Sequence, residues 1–115
     1  MTHYRLRREG NVDVAFDGEI IVDVNSKDEP DQERWNEIRI YSTTKGNYVV
    51  ENTGKSVIIG EGDRTKVYVC ANHEQIVKAL QRGPNKFGEY YLTNVALMAL
   101  DAFEEKMGIT LVEEA

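Results

Sequence analysis

The stretch from Ile38 to Glu51 constrains this chain most, because one hairpin register satisfies its alternation and the nearest alternative does not. Ile38 and Ile40 alternate with Arg39 and Tyr41. After Thr44-Lys45-Gly46, Tyr48 and Val50 alternate with Val49 and Glu51. A three-residue loop whose last position is a left-handed glycine is a favoured connection. It places Thr43 opposite Asn47, Ile40 opposite Val50 and Arg39 opposite Glu51. One face then holds Ile38, Ile40, Tyr48 and Val50; the other holds Tyr41, Val49 and a cross-strand ion pair. A two-residue Lys45-Gly46 loop would set Ile40 against Glu51, so the pattern selects the longer loop.

This hairpin opens a meander expected to run from Trp35 to Ala71. Asn52-Thr53-Gly54-Lys55 is expected to turn the chain into a strand at Val57-Ile58-Ile59, and Gly60–Arg64 into Lys66–Cys70. Upstream, Tyr4–Glu9 reads as an edge strand. Val12–Asn25 reads as a second hairpin around Asp17-Gly18-Glu19, pairing Val14 with Val22 and bringing Asp13 opposite Asp23. Downstream, Asn72 caps a helix over His73–Arg82 that stops at Gly83-Pro84. Thr93 caps another, Asn94–Met107, closed by Gly108. Ile109–Val112 is a last strand or a docked tail. The expectation is a single α+β domain over residues 1–115, with an antiparallel sheet of about six strands, hairpin plus meander, covered on one face by the two C-terminal helices.

The net charge is −6, and its placement matters more than its size. Residues 11–37 hold nine carboxylates against Lys27 and Arg34, so the rest of the chain is close to neutral. A concentrated field of one sign steers a partner of the other. The first functional expectation is therefore a small protein-binding module of interaction or inhibitor type, acting also as a nucleic-acid mimic. It would present Asp13, Asp17, Asp23, Asp28, Asp31 and Glu33 to a basic partner surface. Trp35, the sole tryptophan, is the expected anchor.

Two other classes compete. A nucleic-acid-binding module would use Arg5, Arg7 and Arg8, with Lys78, Arg82, Lys86 and the Tyr90-Tyr91 pair as a second patch. A small enzyme would use Cys70 and His73, a thiol and an imidazole near a helix start. No oxyanion hole or substrate pocket accompanies that pair, so no catalytic residue is assigned.

Thr53-Gly54-Lys55-Ser56 imitates the end of a phosphate-binding loop, but Val49 occupies the place of its first glycine. The cysteine and the two histidines match no structural zinc spacing, and the acidic connector lacks the calcium-loop pattern. No metal site and no cofactor are assigned. One cysteine excludes an intrachain disulfide and suits a reducing compartment. No apolar run approaches a membrane span, and Met1–Arg5 lacks the apolar segment of a signal peptide, so a cytoplasmic location is expected.

Overall fold

The computed structural model describes residues 2–8 and 10–108. Its strands are β1 (Thr2–Leu6), β2 (Val14–Asn25), β3 (Arg34–Thr43), β4 (Tyr48–Ser56) and β5 (Arg64–Cys70); the helices are α1 (His73–Leu80) and α2 (Asn94–Met107). The five strands pair antiparallel in sequence order. The β3–β4 hairpin has the expected register, with Ile40 opposite Val50 and Arg39 opposite Glu51. Thr43 N–H donates to Asn47 O at 2.9 Å, and Gly46 takes φ +83°, the left-handed conformation its loop position requires.

Several expectations about the sheet are corrected. Val12–Asn25 is not a hairpin: Val14–Asn25 is one strand, in which Val14 pairs with Leu6 and Val22 with Ile40. The even spacing of its apolar residues misleads because the register shifts between Ile20 and Val22, leaving Ile21 as an extra residue. A bulge exchanges the faces of a strand. Val14 and Phe16 therefore face one cluster and Val22 and Val24 the other. Gly18 serves no turn; a Cβ there would lie 2.1 Å from the Ser42 carbonyl oxygen, so glycine allows β2 to approach β3.

Asp13 and Asp23 consequently do not meet. Val57–Ile59 is not a strand either, and among the described residues the sheet has five strands rather than about six. Asn52–Lys55, rich in turn formers, continues β4, because all four pair with β3 and Asn52, Thr53 and Gly54 also pair with β5. Pairing on both edges overrides local preference.

The helices begin and end largely as expected. Asn72 Oδ1 accepts from Gln75 N at 3.0 Å, and Thr93 Oγ1 accepts from Ala96 N at 3.3 Å. Gly108 closes α2 in the left-handed region. The first helix stops at Leu80, two residues short of Arg82. Residues 109–112 lie outside the described residues.

The sheet curls, which gives the domain two apolar clusters. On the face carrying the helices, Val22, Ile38, Ile40 and Val50 pack with Ile76, Leu80, Leu100 and Phe103. On the inner face, Tyr41, Val49 and Val67 pack with Tyr4, Leu6, Val14 and Phe16. Tyr4, Phe16 and Tyr41 form a ring cluster with centroids 4.8–5.4 Å apart. The single helix-covered face is thus a partial description. The chain's own N-terminal strands close the inner face, and the helices leave part of the outer face open.

Candidate anion-binding groove

The open part of the outer face follows from strand alternation. Asn36, Gly54 and Arg64 stand in one cross-strand row; Ile38, Asn52 and Lys66 form the next; Ile40, Val50 and Tyr68 form a third. The rows change from apolar to polar toward the β2–β3 end of the sheet. α1 packs on β4 and β5 and α2 on β2 and β3. Two hollows occupy the polar end. One, of about 760 Å³, is walled by the end of α1, Arg82–Pro84 and Tyr91, with Asn36, Asn52, Gly54, Arg64, Lys66 and Tyr68 on its sheet side. The other, of about 660 Å³, shares Asn36, Gly54 and Arg64 and extends to Ser26, Arg34 and Gly60–Gly62. Gly54 keeps the floor between them low, since it has no side chain.

The charges of this groove are unevenly neutralised. Glu61 receives two hydrogen bonds from Arg34 Nε, at 3.0 and 3.1 Å, and a closer one from Nη2. It also accepts the Ser56 hydroxyl at 2.6 Å. The Arg34 guanidinium, followed by that hydroxyl, lowers the Glu61 carboxyl from its usual value to about 2. Arg34 is therefore a committed cation. Arg64, Lys66 and Arg82 make no ion pair or side-chain hydrogen bond among the described residues. A third hollow, of about 550 Å³, runs along β5 from Thr65 to Val69 and is closed by Arg8 and Asn11. It shares Lys66 and Tyr68 with the groove. The curl of the sheet thus carries the N-terminal Arg8 round to the edge strand at the far end of the meander.

The acidic residues do not converge on one surface. Asp13 accepts from Arg5 Nε at 2.9 Å, Asp17 meets His3 Nδ1 at 2.7 Å, and Asp23 lies 3.4 Å from Arg39 Nε. Asp13 and Asp23 are separated by about 30 Å of strand at the usual rise per residue. Asp28, Asp31 and Glu33 lie exposed in the β2–β3 connector with no ion pair among the described residues. Trp35, the second residue of β3, is half-buried. Its indole N–H donates to Glu37 at 3.3 Å, and Lys27 Nζ lies 4.3 Å from its ring centre.

Of the expected nucleic-acid set, the structure brings Arg8, Arg82 and Tyr91 to the connected hollows. Arg5 is held by Asp13, and Lys78 lies 3.9 Å from Glu74. Lys86 Nζ lies 5.2 Å from the Phe87 ring centre in the loop after α1. Arg64, Lys66, Asn36 and Asn52 line the same hollow and stand outside the set expected from the sequence. The spacing Arg64-x-Lys66-x-Tyr68 puts them on one face, and that signal was present.

Cys70 is buried at 2% exposure, and burial pushes its thiol pKa up, away from a thiolate. His73 stacks on Phe103, with ring centres 6.1 Å apart. Among the described residues no three His, Cys, Asp or Glu side chains are grouped to hold a metal, and no helix is long and apolar enough to cross a membrane. The chain matches no protein-family model, and no curated protein or solved structure shows significant similarity to it.

Proposed function

We propose that this protein is a binding module for nucleic acid, with the outer-face groove as the surface that meets the phosphates. One observation carries the reading: Arg64, Lys66 and Arg82 gather around a concave polar floor and, among the described residues, none is held in an ion pair or side-chain hydrogen bond, although Glu61 lies near enough to Arg64 to feel its charge. The net charge of −6 does not oppose this. At physiological salt the Debye length is about 8 Å, so distant carboxylates are largely screened and the local patch decides. The buried Cys70, whose pKa moves in the wrong direction for a nucleophile, supports binding rather than catalysis.

The test is anisotropy titration of a labelled twelve-nucleotide strand across salt concentrations. With three phosphate contacts, the slope of log K against log salt should be about −2 for a single strand. The double variant Arg64→Glu/Lys66→Glu should abolish binding while retaining the wild-type circular dichroism. Absence of binding at low salt, or indifference to the double variant, overturns the proposal.

A second reading keeps one specific observation. Asp28, Asp31 and Glu33 are exposed without ion pairs among the described residues, beside Trp35, and suit a basic protein partner. Reversing these three to lysine separates the two. It weakens capture of a basic protein, mainly through the on-rate, and tightens binding of a nucleic acid.

A further inference from the structure

We infer that the groove takes a single strand, with the loop from Arg82 to Tyr91 as the platform on which its bases stack. This rests on the nucleic-acid reading above and goes beyond it by naming the form of the ligand. The loop is closed by its own backbone. Arg82 N donates to Tyr91 O at 2.8 Å, Tyr91 N to Arg82 O at 2.9 Å, and Asn85 N to Glu89 O at 2.8 Å. The Asn85 side chain accepts from Phe87 N at 2.9 Å and from Glu89 N at 3.0 Å. A Cβ at Gly83 would lie 2.8 Å from Glu89 O, so the two arms of the loop touch at a glycine.

Such order is expected of a loop that buries its apolar side chains, and this one does not. Phe87 is 73% exposed, Tyr90 64% and Tyr91 47%. Single exposed aromatics are ordinary on protein surfaces. Three on one hydrogen-bonded loop, of which Tyr91 lines the hollow holding Lys66 and Arg82 and Phe87 lies beside Lys86, have the composition that single-strand binders use: cations for the backbone and ring faces for any base. Tyr91 joins the two functions, because it lines the same hollow as Arg64, Lys66 and Arg82. Within the loop, Arg82 and Lys86 outnumber the one carboxylate, Glu89. A duplex offers phosphates to the cations but keeps its bases stacked on one another, so it leaves the rings without a partner.

The experiment compares four probes under one buffer: twelve-nucleotide oligo(dT), twelve-nucleotide oligo(U), a twelve-base-pair duplex, and inorganic polyphosphate. The expected result is that one or both single strands bind at least about tenfold tighter than duplex and polyphosphate. Tyr91→Ala and Phe87→Ala should each remove most of that margin, weakening the single strands several-fold more than polyphosphate, whereas Tyr91→Phe should retain it. Folding of each variant is checked by circular dichroism, and the loop closure itself uses backbone groups that alanine retains. Equal binding of all four probes, or an equal loss for all four in Tyr91→Ala, overturns the inference while the phosphate groove stands. If no probe binds at low salt, the nucleic-acid reading falls with it.

Discussion

Arg39 and Glu51 stand opposite each other in the β3–β4 register, yet each finds its partner elsewhere. The guanidinium of Arg39 turns to Asp23 on β2, and Glu51 accepts the Tyr41 hydroxyl at 2.8 Å. The expected cross-strand ion pair is thus replaced by two contacts that tie three strands together. Burial first, and the Glu51 carboxylate second, raise the Tyr41 phenol above its usual value near 10. The folded state therefore holds this proton more tightly than the unfolded chain. The stability it contributes is complete below pH 10 and is lost as pH rises through the folded-state value. Urea midpoints between pH 9 and 11 should fall more steeply for the wild type than for Tyr41→Phe. At neutral pH the variant should lose about 1–2 kcal/mol, because Glu51 keeps its charge without its donor.

Gly18 gives a second test, because its two readings differ in the size of the consequence. In a loop, Gly18→Ala would be nearly neutral. In β2 the new Cβ meets the backbone of Ser42, at 2.1 Å from the oxygen, and β2 must move away from β3. A loss of about 2–4 kcal/mol is expected, in the range of severe single substitutions. Chemical denaturation reads it directly, and a loss below about 0.5 kcal/mol would contradict the close approach.

These contrasts explain what the sequence made legible. The Ile38–Glu51 hairpin was readable because loop length and alternation agreed on one register. Both helices were readable because Asn72, Thr93 and Gly108 mark their ends chemically. β2 was not, because a bulge at Ile21 leaves the even spacing from Val14 to Val24 intact while exchanging the faces. The groove was half legible. Arg82 and Tyr91 stood out by composition, but Arg64 and Lys66 resemble the charges that blunt any edge strand. Their meaning depends on where α1 ends, which is a tertiary fact.

Cys70 gives a third prediction. Its side chain belongs to the cluster under α1 and α2, and its thiol pKa is raised by burial. Cys70→Ala should cost about 1 kcal/mol of packing and leave nucleic-acid binding within twofold. The folded wild type should react with a thiol reagent only after denaturation. Rapid labelling of the folded protein would reopen the reading of Cys70 as a nucleophile.

The last prediction concerns Glu61, the carboxylate that occupies the one paired arginine of the groove. Its pKa is depressed to about 2 by Arg34 and Ser56, so its contribution to stability is present above the ordinary value near 4.5. That contribution is lost as pH falls from there toward 2. Carboxyl-detected NMR titration should therefore find Glu61 as an acid-shifted group, and Glu61→Gln should flatten the decline in stability over that interval. The same variant has a second consequence at neutral pH. It removes a negative charge from the groove and leaves Arg34 free to meet a phosphate beside Arg64. Binding of a twelve-nucleotide strand should tighten about threefold to tenfold, and the slope of log K against log salt should steepen by about 0.7, the share of one added phosphate contact. Glu19→Gln, on β2, serves as the control for net charge alone. If both variants tighten binding equally and neither changes the slope, the gain is a general field effect and Arg34 is not part of the groove's contact surface.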